Sequence, residues 1–140
     1  MPIDSGLTRY NIVQQAPVPM FSVVKDPTIG SNITPTSVMN FSSIILNNES
    51  SWDAANNRFT APAKGTYLFT LGVVEHTATL LLAWRKGILG QTNAVTMANG
   101  AYPAGTYSSC ILALNQYDFI EIWVTSGIAN GGSFTCVRLS

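Results

Sequence analysis

Short apolar runs separated by turn-rich segments make up most of the chain, and their period is two residues. Between Gly65 and Leu71 every second residue is large and apolar, which is the spacing of a strand that buries one face. The polar run around Asn56-Asn57 and the stretch 62–65 carry turn residues, so neighbouring strands are joined by hairpins. Helical i, i+3, i+4 spacing is not evident. The pattern predicts an all-β fold of eight to ten short antiparallel strands.

The pattern also divides the chain into an arm and one domain. Residues 1–16 have no apolar period, whereas the first predicted strand begins at Pro17 and ends at Lys25. A chain of 140 residues suits a single core, which at this size buries roughly two-thirds of the unfolded surface. We therefore expect an N-terminal arm over 1–16 and a domain over 17–140.

Seven residues between positions 41 and 69 have a recognisable spacing. They are Phe41, Asn47, Trp52, Phe59, Gly65, Tyr67 and Phe69. This spacing resembles the signature of the C1q/TNF-like domain, from which only Leu71 departs, because the family has Phe or Tyr there. Residues 21–25, 110–118 and 134–139 are similar to further strands of that family, with Tyr117 in place of a turn glycine. The resemblance implies a ten-stranded antiparallel two-sheet jelly-roll sandwich and a compact homotrimer.

The strand from Gly65 to Val74 is apolar on both faces, although a sandwich has only one interior. In the C1q/TNF-like family the second face is covered by two further copies about a threefold axis. The resemblance implies a core filled by Tyr67, Phe69, Leu112 and Leu114. It also implies an axis lined by Leu68, Thr70, Tyr107, Ser109, Ile111, Phe134, Cys136 and Arg138.

The two cysteines are the only candidates for a disulfide. Strand alternation gives Cys110 the parity of Leu112 and Leu114, which points into the core, and gives Cys136 the parity of Phe134, which points to the axis. Side chains on opposite sides of a sheet cannot reach the Cβ separation of about 4 Å that a disulfide needs. We therefore expect two free thiols.

Charge and hydropathy exclude several partners. Only 10% of the residues are charged, seven basic and seven acidic, and the cations are scattered from Arg9 to Arg138. Because phosphate binding requires a basic patch, no nucleic acid is expected. No apolar run approaches the ~20 residues of a membrane span, so no membrane insertion is expected. The N-terminus lacks a basic start and an apolar core of the secretory type, which indicates assembly in a cytoplasm, or removal of an upstream part.

Residues suited to catalysis are sparse. His76 is the only histidine and is expected to be a surface residue near Glu75, and no zinc or nucleotide-binding motif is present. The carboxylates form no paired constellation. Asp26 and Asp53 lie in predicted loops and are candidates for calcium, which would require five or more converging oxygens. We expect no enzyme activity and assign no catalytic residue, cofactor or metal site.

Two classes of function fit these features. The first is a structural or decorating trimer on a virion surface, within a larger capsid or fibre assembly. Its N-terminal arm would attach through apolar side chains, namely Ile3, Leu7, Tyr10, Ile12 and Val13. The second is an extracellular head domain, either a fibre tip or a secreted binder, whose loops recognise a receptor or glycan. Collagen-like repeats or a signal peptide would favour the second class, and neither is present in this sequence.

Overall fold

A computed structural model describes residues 17–26, 33, 37–89, 95–101 and 107–140, with only the backbone for 74–79, 95 and 99. Antiparallel strands form most of this part. One turn of 3-10 helix, Asn48–Ser50, interrupts them. The strands are β1 Val18–Lys25, β2 Ser37–Val38, β3 Ser43–Asn47, β4 Trp52–Asp53, β5 Arg58–Thr60, β6 Gly65–Gly87, β7 Val95–Ala101, β8 Tyr107–Leu114 and β9 Phe119–Arg138.

The two long strands, β6 and β9, pair along their whole length and bend together. Phe69 and Trp84 are fifteen residues apart on β6, yet their ring centroids are 6.5 Å apart. A straight strand would separate them by about 50 Å, so β6 folds over and its two halves face each other. β9 follows the bend, with register shifts opposite residues 73–82 and a left-handed residue at Gly127, whose φ is 78°.

This bend folds one continuous hydrogen-bonded sheet into the two layers of a sandwich. The first layer has the order β3, β1, C-terminal half of β9, N-terminal half of β6, β8. The second contains β4, β5, the N-terminal half of β9, the C-terminal half of β6 and β7, with β2 also paired to β9. The predicted jelly-roll fold is confirmed. The described part contains nine strands, whereas ten were expected. The number is lower because β6 and β9 are each one continuous strand that passes through both layers.

Aromatic rings fill the space between the layers. The signature residues Trp52 and Phe59 are buried there, and so is Leu71 at the position where the signature departs from the family. Neighbouring ring centroids in the cluster lie 5.0 to 6.5 Å apart, in tilted, edge-to-face and stacked arrangements. The cluster consists of Phe21, Phe41, Trp52, Phe59, Tyr67, Phe69, Trp84 and Phe134.

Asn47 has a different role in the signature. Its Nδ2 donates to the Trp52 carbonyl oxygen at 3.1 Å, and its Oδ1 accepts from the Trp52 amide at 2.8 Å. The side chain therefore pairs with both backbone groups of Trp52 across the 3-10 turn. Tyr67 is anchored in a similar way, because its hydroxyl donates to the Ala63 carbonyl oxygen at 2.6 Å.

Candidate subunit interface

Three cross-strand rows cover the outer face of the first layer, where β6 lies between β8 and β9. Residues directly opposite each other in antiparallel strands share a face. Written from β8 through β6 to β9, the rows are Ile111, Leu68 and Val137; Ser109, Thr70 and Thr135; and Tyr107, Gly72 and Ser133. We call these nine residues the outer-face rows.

The outer-face rows are uncharged and open to solvent in the single chain. Tyr107 is 67% exposed and Ile111 is 60% exposed, which is unusual for large apolar side chains. The middle row is polar, with the hydroxyls of Thr70 and Ser109 3.1 Å apart at hydrogen-bond distance. The face thus combines apolar ends with a satisfied polar centre, a composition suited to burial against another protein surface.

The third row is shaped by Gly72. A Cβ at this position would collide with the Tyr107 ring and would also meet the Ser133 hydroxyl oxygen at 2.9 Å. The ring of Tyr107 therefore lies flat across the backbone of β6, where only glycine leaves it room. This packing fixes the orientation of the most exposed aromatic side chain on the face.

The structure brings together five of the eight residues predicted to line the axis: Leu68, Thr70, Tyr107, Ser109 and Ile111. Their contact with another subunit stays a prediction. The orientation predicted for Phe134 and Cys136 is wrong, because they are 0% and 1% exposed and lie in the core. The reason is register: Phe134 lies opposite Leu71 and Cys136 opposite Phe69, both of which are core residues.

Arg138 also faces inward, at the end of β9, opposite Tyr67. Its Nη1 lies 3.5 Å from the Glu49 carboxylate, so it is held at the edge of the core. Burial raises the pKa of Tyr67, and the hydrogen bond from Arg138 partly opposes that shift. Arg138 is therefore occupied within the chain and does not belong to the outer-face rows.

The β9 residues that do face outward were missed by the sequence prediction. They are Ser133, Thr135 and Val137, the set that alternates with Phe134 and Cys136. The sequence carried a signal for this orientation, because the more apolar of two alternating sets normally faces the core. The mapping from the family resemblance instead placed Phe134 and Cys136 on the outer face.

The two cysteines both face inward and flank Phe69, with Cys110 on β8 and Cys136 on β9. Two strand spacings separate them by about 10 Å, beyond the reach of a disulfide. The expectation of two free thiols stays, but its reason changes, because Cys136 does not point away from the core. Burial raises the pKa of both thiols.

A cleft of about 370 Å³ opens beside the outer-face rows, between the edges of β7 and β8. Among the described residues these two strands pair only with β6, so no strand pairing joins the two layers there. Ser109 borders both the cleft and the rows. The cleft is lined by Trp84, Met97, Ala98, Gly100, Ser108, Ser109, Cys110 and Leu112.

Several predicted residues lie outside the described part: the arm residues Ile3, Leu7, Tyr10, Ile12 and Val13, and the side chain of His76.

Within the described part, no group of three or more His, Cys, Asp or Glu is placed to hold a metal ion. The Asp53 carboxylate accepts bonds from the Ala55 and Asn56 amides and from the Asn56 side chain. No helix among the described residues has the length and apolar character of a membrane span.

Comparison with known proteins agrees with this architecture. Solved structures similar to the chain include the globular domain of zebrafish complement 1qA, with a TM-score of 0.67 and 14% identity over 87% of this chain and 96% of that one. Eiger TNF from S. frugiperda has a TM-score of 0.59 and 13% identity over 88% and 94%. Murine APRIL at pH 8.5 has a TM-score of 0.57 and 18% identity over 85% and 98%.

At these identities the likeness shows the fold alone. No curated protein has a sequence that matches this chain. The C1q domain model, however, matches residues 21–136, which run from within β1 to within β9. The chain therefore belongs to the C1q domain family.

Proposed function

We propose that this protein is a non-enzymatic binding module that works as a homotrimer, with the outer-face rows as its subunit interface. Domains of the C1q/TNF type are typically trimeric binding modules without catalytic activity. The observation that carries the proposal is the uncharged face on which Tyr107 and Ile111 are mostly exposed. Exposed apolar patches of this kind mark protein interaction sites.

A threefold assembly uses two different surfaces of each subunit, because a head-to-tail contact closes into a ring only when unlike patches meet. The outer-face rows and the neighbouring β7–β8 cleft supply two such surfaces. A subunit seated against the rows would also cover the cleft mouth at Ser109, which borders both. In this arrangement the neighbouring subunit would cover both the exposed apolar side chains of the outer-face rows and the cleft between β7 and β8.

Substitution with aspartate tests the interface. The unmodified chain is expected to sediment at about three times its 15.0 kDa mass. Ile111→Asp or Tyr107→Asp should give a monomer, since each would bring three carboxylates into one apolar interface, at a cost of several kcal/mol per buried ion. Ile45→Asp is the matched control, because Ile45 is 70% exposed on β3, with β1 and β9 between it and β6. A natural chain that is monomeric at micromolar concentration would disprove the proposal.

We propose further that the trimer is a surface or decorating protein of a virion and is attached through its first sixteen residues. Ile3, Leu7, Tyr10, Ile12 and Val13 supply apolar contacts in a segment without a core pattern. Three such arms on one trimer would engage a repeating surface together and gain avidity from effective concentration. C1q/TNF-like domains are commonly secreted or extracellular, so the alternative is an extracellular head that recognises a receptor or glycan.

Deletion of residues 1–14 separates these two roles. For a decorating protein, the truncated chain should still form trimers with a similar melting temperature, but should no longer co-sediment with the particles. Full decoration by the truncated chain would instead show that the arm is not the anchor. The extracellular head would then become the favoured function.

A further inference from the structure

Three exposed apolar side chains meet at one end of the sandwich, away from the outer-face rows. Ile88 and Leu89 directly follow β6, and Tyr117 lies in the turn between β8 and β9. Leu89 is 70% exposed, and the other two are nearly half exposed. All three border a depression of about 270 Å³, together with Asp53, Arg58, Thr60 and Phe119. We call Ile88, Leu89 and Tyr117 the end patch.

Tyr117 is held there in a strained conformation. The Asp118 amide donates to the Asn115 carbonyl oxygen at 3.1 Å, which closes a four-residue turn, and Tyr117 has a φ of 71° within it. That region favours glycine, and a bulky residue there is an outlier. The turn is pinned by the Tyr117 amide, which donates to the Ala61 carbonyl oxygen at 2.8 Å. Strain of this kind persists where the surrounding structure enforces it, and it clusters at binding sites.

The floor of the depression is rigid. The Arg58 guanidinium lies 3.9 Å from the centre of the Phe119 ring, and its Nη2 donates to the Glu121 carboxylate at 2.8 Å. The Phe119 ring in turn covers Gly87, which leaves no room for a Cβ at that position. The Phe119 ring is thus packed between the Arg58 guanidinium and Gly87 of β6.

The charged side chains around the depression are paired within the chain, apart from Arg58 Nε, which is buried without a hydrogen-bond partner. Arg58 is paired with Glu121, and both carboxylate oxygens of Asp53 accept hydrogen bonds from its own turn. An ionic ligand would therefore have to displace existing partners. Apolar side chains, by contrast, would bury the exposed surface of the end patch with no such cost. The depression is consequently suited to an apolar peptide segment.

The end patch lies at the end of the sandwich where the N-terminal arm joins the domain. β1 begins at Val18, opposite Arg138 at the end of β9, and β8 ends at Leu114, opposite Gly65. The turn that carries Tyr117 follows Leu114, so it belongs to this same end. Gly87, the last residue of β6, lies opposite Phe119 and brings Ile88 and Leu89 there too.

We propose that the end patch binds the apolar side chains of the first sixteen residues of the same chain. An extended segment of this length spans about 50 Å, well beyond the 10 Å between packed layers. The arm contains six large apolar residues, Met1 included, and only two charged side chains, Asp4 and Arg9, so its contacts would be mainly apolar. The inference concerns the free protein and does not depend on trimer formation.

Hydrogen exchange of the full-length chain tests the proposal, first by changing the end patch and measuring the arm, then by changing the arm and measuring the end patch. Leu89→Ser should speed exchange of the amides in residues 1–16 by tenfold or more. Leu7→Ser combined with Ile12→Ser should speed exchange around Leu89 and Tyr117, because coupling between two binding surfaces is reciprocal. Ile45→Ser is the matched control, since Ile45 is as exposed as Leu89 but lies on β3. It should leave the arm amides unchanged.

Tyr117→Gly separates binding from folding. Glycine relieves the positive φ, so this variant should melt at a higher temperature than the natural chain while the arm amides lose their protection. Arm amides that exchange at the rates of a free peptide in the natural chain would overturn the proposal. Protection that survives both Leu89→Ser and Tyr117→Gly would also overturn it. Protection lost only in Ile111→Asp would place the arm at the subunit interface instead.

Discussion

The local sequence pattern predicts which side chains are buried in this protein where one of the two alternating sets in a strand is clearly more apolar. Tyr67 and Phe69 alternate with Leu68 and Thr70, and the structure buries the aromatic pair and leaves the other pair half-buried. Four described non-glycine residues, namely Glu49, Ser50, Asn57 and Tyr117, occupy left-handed positions that glycine would adopt without strain. Tyr117 is the bulkiest of them, and the end-patch proposal concerns its side chain.

The cysteines give a prediction at this scale. Burial raises the pKa of both thiols, and for Cys136 the nearby Cys110 adds to the effect. At pH 8 we expect Cys136 not to react with a thiol reagent in the folded protein and Cys110 to react slowly. Two thiols should titrate after unfolding without reductant.

The same shift makes stability depend on pH. The folded state favours the neutral thiol, whereas an unfolded thiol ionises from about pH 8.5. This contribution is therefore fully present below that pH and is lost as the pH rises toward the higher pKa of the folded state. Cys136→Ala should flatten the decline in unfolding free energy between pH 8 and 10. An unchanged decline in that variant would contradict the assignment.

At the scale of elements, the existence of the strands was predictable, but their continuity was not. The apolar pattern predicts a strand that ends at Val74, yet β6 runs unbroken from Gly65 to Gly87. A strand that bends while keeping its partner has no distinct sequence period, because the bend is set by pairing with β9. The parity of β9 was wrong for a different reason, since the family mapping placed Phe134 and Cys136 outward against the apolar alternation of the strand.

The link between β3 and β4 gives the prediction for this scale. Asn47→Ala removes two hydrogen bonds and leaves the amide and carbonyl of Trp52 without partners. We expect the free energy of unfolding to fall by roughly 1–3 kcal/mol, measured by urea denaturation. Asn40→Ala serves as the control, because Asn40 is exposed and outside the strands. Equal effects of the two substitutions would show that the Asn47 link does not stabilise the fold.

At the scale of the whole molecule, the two apolar surfaces discussed above, both formed by described residues, differ in position and in proposed partner. The outer-face rows lie on one layer and suit a second copy of the chain, whereas the end patch lies where the arm joins the domain. Only 10% of the residues are charged, so both surfaces depend on burial rather than on ion pairs. Loss of either contact would expose apolar side chains to water at about 25 cal/mol per Å².

The sequence by itself determined the all-β class, the signature residues of the core and the strands that carry the outer-face rows. The class follows from alternation, which is a local property of the chain, whereas the core residues and the interface strands follow from the resemblance to the C1q/TNF-like signature. Tertiary structure alone decided the bend that makes one sheet into two layers and the meeting of Ile88, Leu89 and Tyr117. Those features depend on which strand lies opposite which, and a shift of one residue in register reverses the face of every side chain.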